Sequence, residues 1–163
     1  MTTVFLSLGS NIDRQHNIGS GLDDLAAAFG ELRLSPVYES EAVGFKGSPF
    51  FNLVVALDTD LPVAALADRL RDIERDHGRV RGEKKFASRT LDIDILTYGD
   101  LTGEIDGVTL PRDEILKHAF VLRPLADLAP EATHPQLGRT YAALFDEYRF
   151  PEQRLWQVPF VWP

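Results

Sequence analysis

The run Arg89-Thr90-Leu91-Asp92-Ile93-Asp94-Ile95-Leu96 leaves this part of the chain little choice of conformation. Side chains alternate across a β-strand, so Leu91, Ile93 and Ile95 share one face while Asp92 and Asp94 share the other. The segment therefore reads as a strand with one side against a core. Its two carboxylates sit roughly 7 Å apart, from a rise near 3.3 Å per residue. Hard cations such as Mg2+ take one or two carboxylates together with phosphate oxygens, and this spacing lets each aspartate serve one ion or two. Spacing alone is equally compatible with an exposed strand face bearing ordinary surface aspartates.

Charge distribution separates the two readings. The chain has 163 residues and a net charge of −8, which disfavours a general nucleic-acid binder. Yet Arg69, Arg71, Arg75, Arg79, Arg81, Lys84, Lys85 and Arg89 crowd the stretch just upstream of Asp92. A solvated helix face accounts for the first of these. The run then continues through GRVRGEKKFASR, where no helical spacing organises it. Cations and metal ligands arriving together are what a nucleoside triphosphate requires, so the expected partner is a small polyanion such as ATP. The absence of cysteine excludes a disulfide framework and fits a reducing compartment. No charged start with a long apolar run opens the chain, and no stretch approaches the roughly 20 apolar residues of a membrane span. The expectation is a cytoplasmic monomer acting on small molecules, without membrane or nucleic-acid partners. With 44% hydrophobic residues it should fold as one domain over residues 1–163.

Periodicity supplies the remaining elements. Thr3 to Leu8 alternates as a strand, and Gly9-Ser10-Asn11 reads as a turn. Ile18, Leu22, Leu25 and Phe29 follow helical spacing, with Gly30 as the stop. Leu32 to Tyr38 reads as a strand interrupted by Pro36 and so near an edge, and Glu39 to Pro49 as a loop. Phe50 to Asp58 is a strong strand, and Pro62 opens a helix with Leu66, Leu70 and Ile73 on one stripe. Gly78 to Ser88 is a polar, basic loop suited to a lid, followed by a strand from Thr90 to Tyr98 and a short one at Val108 to Leu110. Leu116 to Leu128 should hold a helix broken at Pro124, and Thr140 to Tyr148 the last helix. The tail RLWQVPFVWP is suited to pack along a sheet edge. The order β-α-β-β-α-β predicts an α+β, ferredoxin-like sandwich with appended C-terminal helices and strand. His16, His77 and His134 read as surface residues rather than ligands.

At this point a resemblance becomes specific. GRVRGEKKFASRTLDIDIL is similar to the characteristic segment of the 6-hydroxymethyl-7,8-dihydropterin pyrophosphokinase family. SLGSN after the first strand, SPFFNLVVAL, and VTLPRDEILKHAFVLRPLADLAPE resemble that family's other marks in the same order. The resemblance implies transfer of a diphosphate from Mg-ATP to the hydroxymethyl group of the reduced pterin, with release of AMP, in folate biosynthesis. It implies that Asp92 and Asp94 hold two Mg2+ ions, and that Arg81 and Arg89 meet the phosphates as catalytic residues. Arg71, Glu74, Lys85, Ile95, Thr109, Arg112, Asp113 and His118 would bind the nucleotide, Glu74 at its adenosine part. Asn52 would recognise the pterin's polar edge, Phe50 and Phe120 would sandwich its ring, and the backbone from Ser40 through Glu41 to Val43 would complete the hydrogen bonding.

Residue chemistry leaves blander readings beside these roles. Phe50 and Phe120 taken alone suit a core, and Glu74 with Arg71 suits a solvated helix pair. Asn52 inside an apolar strand is the sharper signal, because a buried amide needs partners. The sequence also departs from the family pattern. Phe86-Ala87-Ser88 stands where Gly-Pro usually precedes the arginine, Arg112 where histidine is usual, and His118 where arginine is usual. A diverged paralogue that binds without turning over is therefore the alternative. An RNA-binding module of the same strand order is a second, disfavoured by the acidic balance and the paired aspartates.

Overall fold

Residues 1–42, 47–78, 90–148, 150 and 153–162 are described by a computed structural model. The elements are β1 (Thr2–Ser10), α1 (Arg14–Phe29), β2 (Arg33–Leu34), β3 (Val37–Ser40), β4 (Phe50–Thr59), α2 (Val63–Asp76), β5 (Asp92–Tyr98), β6 (Gly103–Ile105), β7 (Val108–Leu110), a 3-10 turn (Asp113–Leu116), α3 (Ala119–Leu128), α4 (Tyr141–Glu147) and β8 (Leu155–Val158). The main sheet runs β5-β1-β4-β3-β8, with β2 also pairing β4, and every pairing is antiparallel. Counting β2 and β3 as one interrupted strand gives the βαββαβ order and strand arrangement of a ferredoxin-like sandwich. Among the described residues no helix is long and apolar enough to cross a membrane.

Alternation along the strands assigns each face of the sheet. Val4, Leu6, Leu8, Leu53, Val55, Leu57, Ile93 and Ile95 pack against Ile18, Leu22 and Leu25 of α1 and Leu66, Leu70 and Ile73 of α2. On the opposite face Val54, Leu96 and the half-buried Phe5 pack against Val121, Leu122 and Leu125 of α3 and Tyr141 and Leu144 of α4. β4 serves both layers, which is why FFNLVVALD reads as one continuous apolar run.

Several expectations shift in detail. β1 continues through Gly9 and Ser10 instead of turning there, because both remain paired to β4. Pro36, which has no N–H to give, does split the second strand, and Ser35 bridges the gap. Its N–H donates to the Val54 carbonyl (2.9 Å), and its hydroxyl accepts the Val54 N–H (2.9 Å). That strand is not the sheet's edge, since the tail strand β8 covers β3, as the tail's composition implied. α3 runs through Pro124 without breaking. The lost backbone bond is outweighed by Val121, Leu122 and Leu125, which bury apolar surface on both sides of the proline. His134 is buried, not exposed, and its Nδ1 accepts the N–H groups of Gln136 and Leu137, both at 3.2 Å. His77 is half-buried, with its ring nitrogens beside the Ile73 carbonyl (2.8 Å) and the Ser20 hydroxyl (2.9 Å).

Two glycines of α1 test how tightly the first layer is packed. A Cβ on Gly21 would lie 2.8 Å from Cδ2 of the fully buried Leu91, whereas one on Gly19 would meet nothing within 4 Å. Gly19→Ala should therefore stabilise the protein by about 0.5–1 kcal/mol through helix propensity alone. Gly21→Ala should lose that gain to overpacking of roughly 1–3 kcal/mol, for a net destabilisation near 1 kcal/mol. Urea unfolding of both variants checks the pair, and equal shifts in stability would show that α1 does not press on Leu91.

Candidate active site

Strand register builds the site one row at a time. Gly9 of β1 stands opposite Asp92 of β5 on one side and Asn52 of β4 on the other, and Asn52 in turn faces Tyr38 of β3. Directly opposed residues share a face, so the carboxylate and the amide look out from the same side of the sheet. They lie two strand spacings apart, about 9–10 Å. The residue between them has no side chain. A Cβ at Gly9 would lie 3.4 Å from Oδ1 of Asn52 and 3.7 Å from Cδ2 of Phe50, so the glycine keeps the floor between the two ends low. One row along, Asp94 faces Ser7, and on the other flank Phe50 faces Ser40. α3 and α4 cover this face around Phe5, Val54 and Leu96, from the Asp94 row onward, and α3 also reaches Tyr38 in the Asn52 row through Asp127.

The amide end is already organised. Asn52 is buried, and its Nδ2 donates to the buried Ser40 hydroxyl (2.7 Å) and, more weakly, to the Phe50 carbonyl (3.5 Å). Beside it the Tyr38 hydroxyl donates to Asp127, tying β3 to the end of α3, and burial followed by this contact pushes the phenol's pKa up. At the start of α3 Phe120 is stacked on His118, with ring centroids 4.6 Å apart and planes 14° from parallel. Burial is the main cause holding the His118 pKa below its ordinary value.

The carboxylate end carries an excess of negative charge. The Asp94 pKa is pushed up to about 8, first by burial, then by the charge of Asp92, with Glu114 and Glu74 adding and Arg112 opposing. Arg112 places Nη2 3.7 Å from Oδ1 of Asp94 and 2.7 Å from Oε1 of Glu114, while its own N–H donates to the Leu96 carbonyl (2.8 Å). Glu74 is buried, and its Oε2 accepts the Ile93 N–H (2.8 Å), pinning α2 to β5. It is no solvated helix pair: Arg71 sits on the exposed side of α2 and bonds Asp68 instead. Among the described residues no three His, Asp or Glu side chains converge on a metal position. A cation here would be held by the two aspartates together with oxygens of a phosphate ligand. That suits Mg2+, which keeps few protein ligands, and the raised Asp94 pKa marks charge that such an ion would neutralise.

Of the residues implicated by sequence, register and packing bring Asp92, Asp94, Asn52, Ser40 and Phe50 onto one stretch of sheet, with Arg112 beside Asp94. Ile95 points its side chain into the core under α1 and α2, leaving only its main chain for a ligand. Thr109 is exposed on β7, and Asp113 pairs with Lys117 (2.8 Å) at the outer end of the 3-10 turn. Glu41 is exposed just past β3. Val43, Arg81, Lys85 and Arg89, and all of the proposed lid except Gly78, lie outside the described residues. Two contributors escaped the sequence reading. Glu114, next to Arg112 and Asp113, orients the guanidinium. Gly9 looked like turn punctuation, and only strand register reveals it as the floor.

The class these features define is a ferredoxin-like α+β sandwich with paired carboxylates at one end of a sheet face and a fixed amide at the other. The family model for 7,8-dihydro-6-hydroxymethylpterin-pyrophosphokinase matches residues 5–130. The 2-amino-4-hydroxy-6-hydroxymethyldihydropteridine pyrophosphokinase of Pseudomonas aeruginosa is 40% identical over 137 residues, covering 81% of this chain and 83% of that protein. Its namesake from Aquifex aeolicus is 34% identical over 137 residues, 83% of this chain and 85% of that one. A Plasmodium falciparum HPPK-DHPS crystal structure overlays with a TM-score of 0.71 at 15% identity, across 90% of this chain and 45% of that longer chain, which speaks for the fold alone. This chain belongs to the 7,8-dihydro-6-hydroxymethylpterin pyrophosphokinase family and is an ATP-dependent diphosphotransferase of folate biosynthesis.

The electrostatics give a stability test on metal-free protein. A carboxyl whose pKa rises from 3.8 to about 8 on folding binds its proton more tightly when folded, so its contribution is lost as pH climbs between those values. Asp94→Asn removes the ionisation. In EDTA its melting temperature should exceed wild type most at pH 9, with the gain shrinking as pH falls toward 4. A gain independent of pH would mean that Asp94 ionises freely in the folded protein.

Proposed function

We propose that the open stretch of sheet between Asp92 and Asn52 is where the diphosphate of Mg-ATP passes to the hydroxymethyl group of 6-hydroxymethyl-7,8-dihydropterin. The observation that supports this is the shared row in which the Asp92 carboxylate and the Asn52 amide look out from one face of the sheet, separated by Gly9, with Asp94 one row along. In this reading Asp92 and Asp94 would hold two Mg2+ ions, and the pterin's polar edge would lie on Asn52 with its ring against Phe50. The ions, when bound, supply charge neutralisation for the phosphates.

The chain's own groups position the reactants. Ser40 and the Phe50 carbonyl take the Asn52 N–H groups, so the pterin would meet the Oδ1 acceptor already oriented. The hydroxymethyl oxygen attacks the β-phosphorus, the bond from that phosphorus to the oxygen bridging the α-phosphate breaks, and AMP leaves. The hydroxymethyl proton departs to solvent or to a phosphate oxygen. Arg112, drawn toward Asp94 and Glu114, is placed to turn to the phosphates once cations occupy the carboxylates. Arg81, Arg89, Arg71, Glu74 and Lys85 keep their family roles in this proposal, on the sequence match alone. For Phe120 to stack on the pterin, His118 must leave the ring face it now covers, or the pterin must take the other.

Two experiments test the reading. Asp92→Ala and Asp94→Ala should each lower pterin-dependent AMP formation on the order of several hundredfold while far-UV circular dichroism stays unchanged. Near-normal turnover in either folded variant would remove the aspartates from the site. The second uses His118, which this reading turns toward the phosphates. Its pKa in the free protein lies below 6.5, and a phosphate contact would raise it, so ATP binding should take up a proton. ATP affinity should then fall as pH rises from the free pKa to the higher one of the complex, beyond the effect of ATP's own ionisation. Calorimetry should show His118→Arg binding ATP with a flatter pH dependence, whereas parallel curves would show that His118 stays on Phe120.

A further inference from the structure

The first turn of α1 carries a charge of the wrong sign. A helix N-terminus favours anions, yet Arg14 is the first residue of α1, its first turn holds no acid, and the preceding Asp13 makes no side-chain cap. What offsets this lies outside the helix. The Arg14 guanidinium donates from Nη1 to Oε1 of Glu39 (2.9 Å) and to the Pro49 carbonyl (3.2 Å), and its carbon sits 3.9 Å from the centroid of the Phe51 ring. Oε2 of the same Glu39 accepts the indole N–H of Trp156 on β8 (3.1 Å). The ion pair is partly withdrawn from solvent, with Arg14 29% and Glu39 20% exposed at the side chain, so it is screened less than a surface ion pair, while Trp156 itself stays exposed.

Its position gives it a consequence. Glu39 stands opposite Phe51 on β4 and opposite Trp156 on β8, whereas Ser40 stands opposite Phe50. Alternation therefore puts the Arg14–Glu39–Trp156 group on the reverse of the sheet, one residue behind Ser40 and Phe50. Asn11 adds to it by donating to the Ser48 carbonyl (3.1 Å). Two consecutive carbonyls, those of Ser48 and Pro49, are thus held from the α1 side immediately before β4 begins at Phe50.

We infer that Arg14 is a positioning residue for the pterin side of the site, fixing the backbone that presents Phe50 and Ser40 through its joint hold on Pro49 and Glu39. This rests on the pterin subsite proposed above. Arg14 touches neither substrate. The carboxylate end lies on β5, at the far side of β1, so the loss of Arg14 should be felt by one substrate and not the other.

The test compares steady-state AMP formation by wild type, Arg14→Met, Arg14→Lys and Asn52→Ala, with melting temperatures for each. Arg14→Met should raise KM for the pterin roughly tenfold, about the scale of one charge-assisted hydrogen bond, while KM for ATP stays within about twofold. Arg14→Lys keeps the charge facing Glu39 but cannot hold two acceptors as a planar fork does, so it should fall between. Unchanged pterin KM in Arg14→Met, or both KM values rising together, overturns the inference. If Asn52→Ala leaves pterin KM unchanged, the subsite placement itself falls and takes this role with it. Impaired Asn52→Ala beside normal Arg14→Met overturns Arg14 alone. Should Arg14→Met not fold, Glu39→Gln gives the same reading, since it removes the charge yet still accepts from Trp156. It too should raise pterin KM selectively, and failure to do so overturns the role.

Discussion

β1 is the constraint on which the rest depends. It is paired from Thr2 to Ser10 along β4 on one side, and from Val4 to Gly9 along β5 on the other. A strand held on both edges cannot slip, because a one-residue shift would turn Val4, Leu6 and Leu8 out of the core. That register sets Asp92 and Asn52 at the same level across Gly9. The apolar cost of losing the register is thereby what keeps the carboxylates and the amide facing one another, although neither contributes to that core.

The two ends of the site are built on opposite physical terms. At the amide end described polar side chains are paired with one another, Asn52 to Ser40 and Glu39 to Arg14 and Trp156, so that surface is held before a ligand arrives. At the carboxylate end the charges are frustrated. Burial and neighbouring acids lift the Asp94 pKa to about 8, and Arg112 answers only part of the excess. A shape-selective end and a charge-hungry end suit a flat heterocycle and a metal–triphosphate respectively.

Legibility in the sequence followed the same division. The alternation of Asp92 and Asp94 with Ile93 and Ile95 was readable because period two and burial coincide there. α1 and α2 were readable because their apolar stripes meet only one layer. What escaped depends on partners distant in sequence. Pro124 looks like a helix breaker until the packing of α3 and α4 on both sides of it is known. His134 looks exposed until the chain folds two of its own N–H groups onto the ring. Gly9 looks like a turn until β5 pairs beside it, and Arg14 looks like a surface cation until Glu39 arrives from 25 residues away. The comparisons with known proteins settled the family, whereas the placement of individual side chains came from strand register.

The central claim is that the floor at Gly9 is substrate space. It is met most directly by one variant, Gly9→Val, assayed for pterin-dependent AMP release with its melting temperature as the control. Valine suits a strand, and a Cβ at this position makes only ordinary contacts with Asn52 and Phe50. The account predicts a melting temperature close to wild type and turnover reduced roughly a hundredfold, the scale of displacing a bound reactant by about 1 Å. Full turnover in a folded Gly9→Val protein would contradict it, because the reactants would then not lie between Asp92 and Asn52.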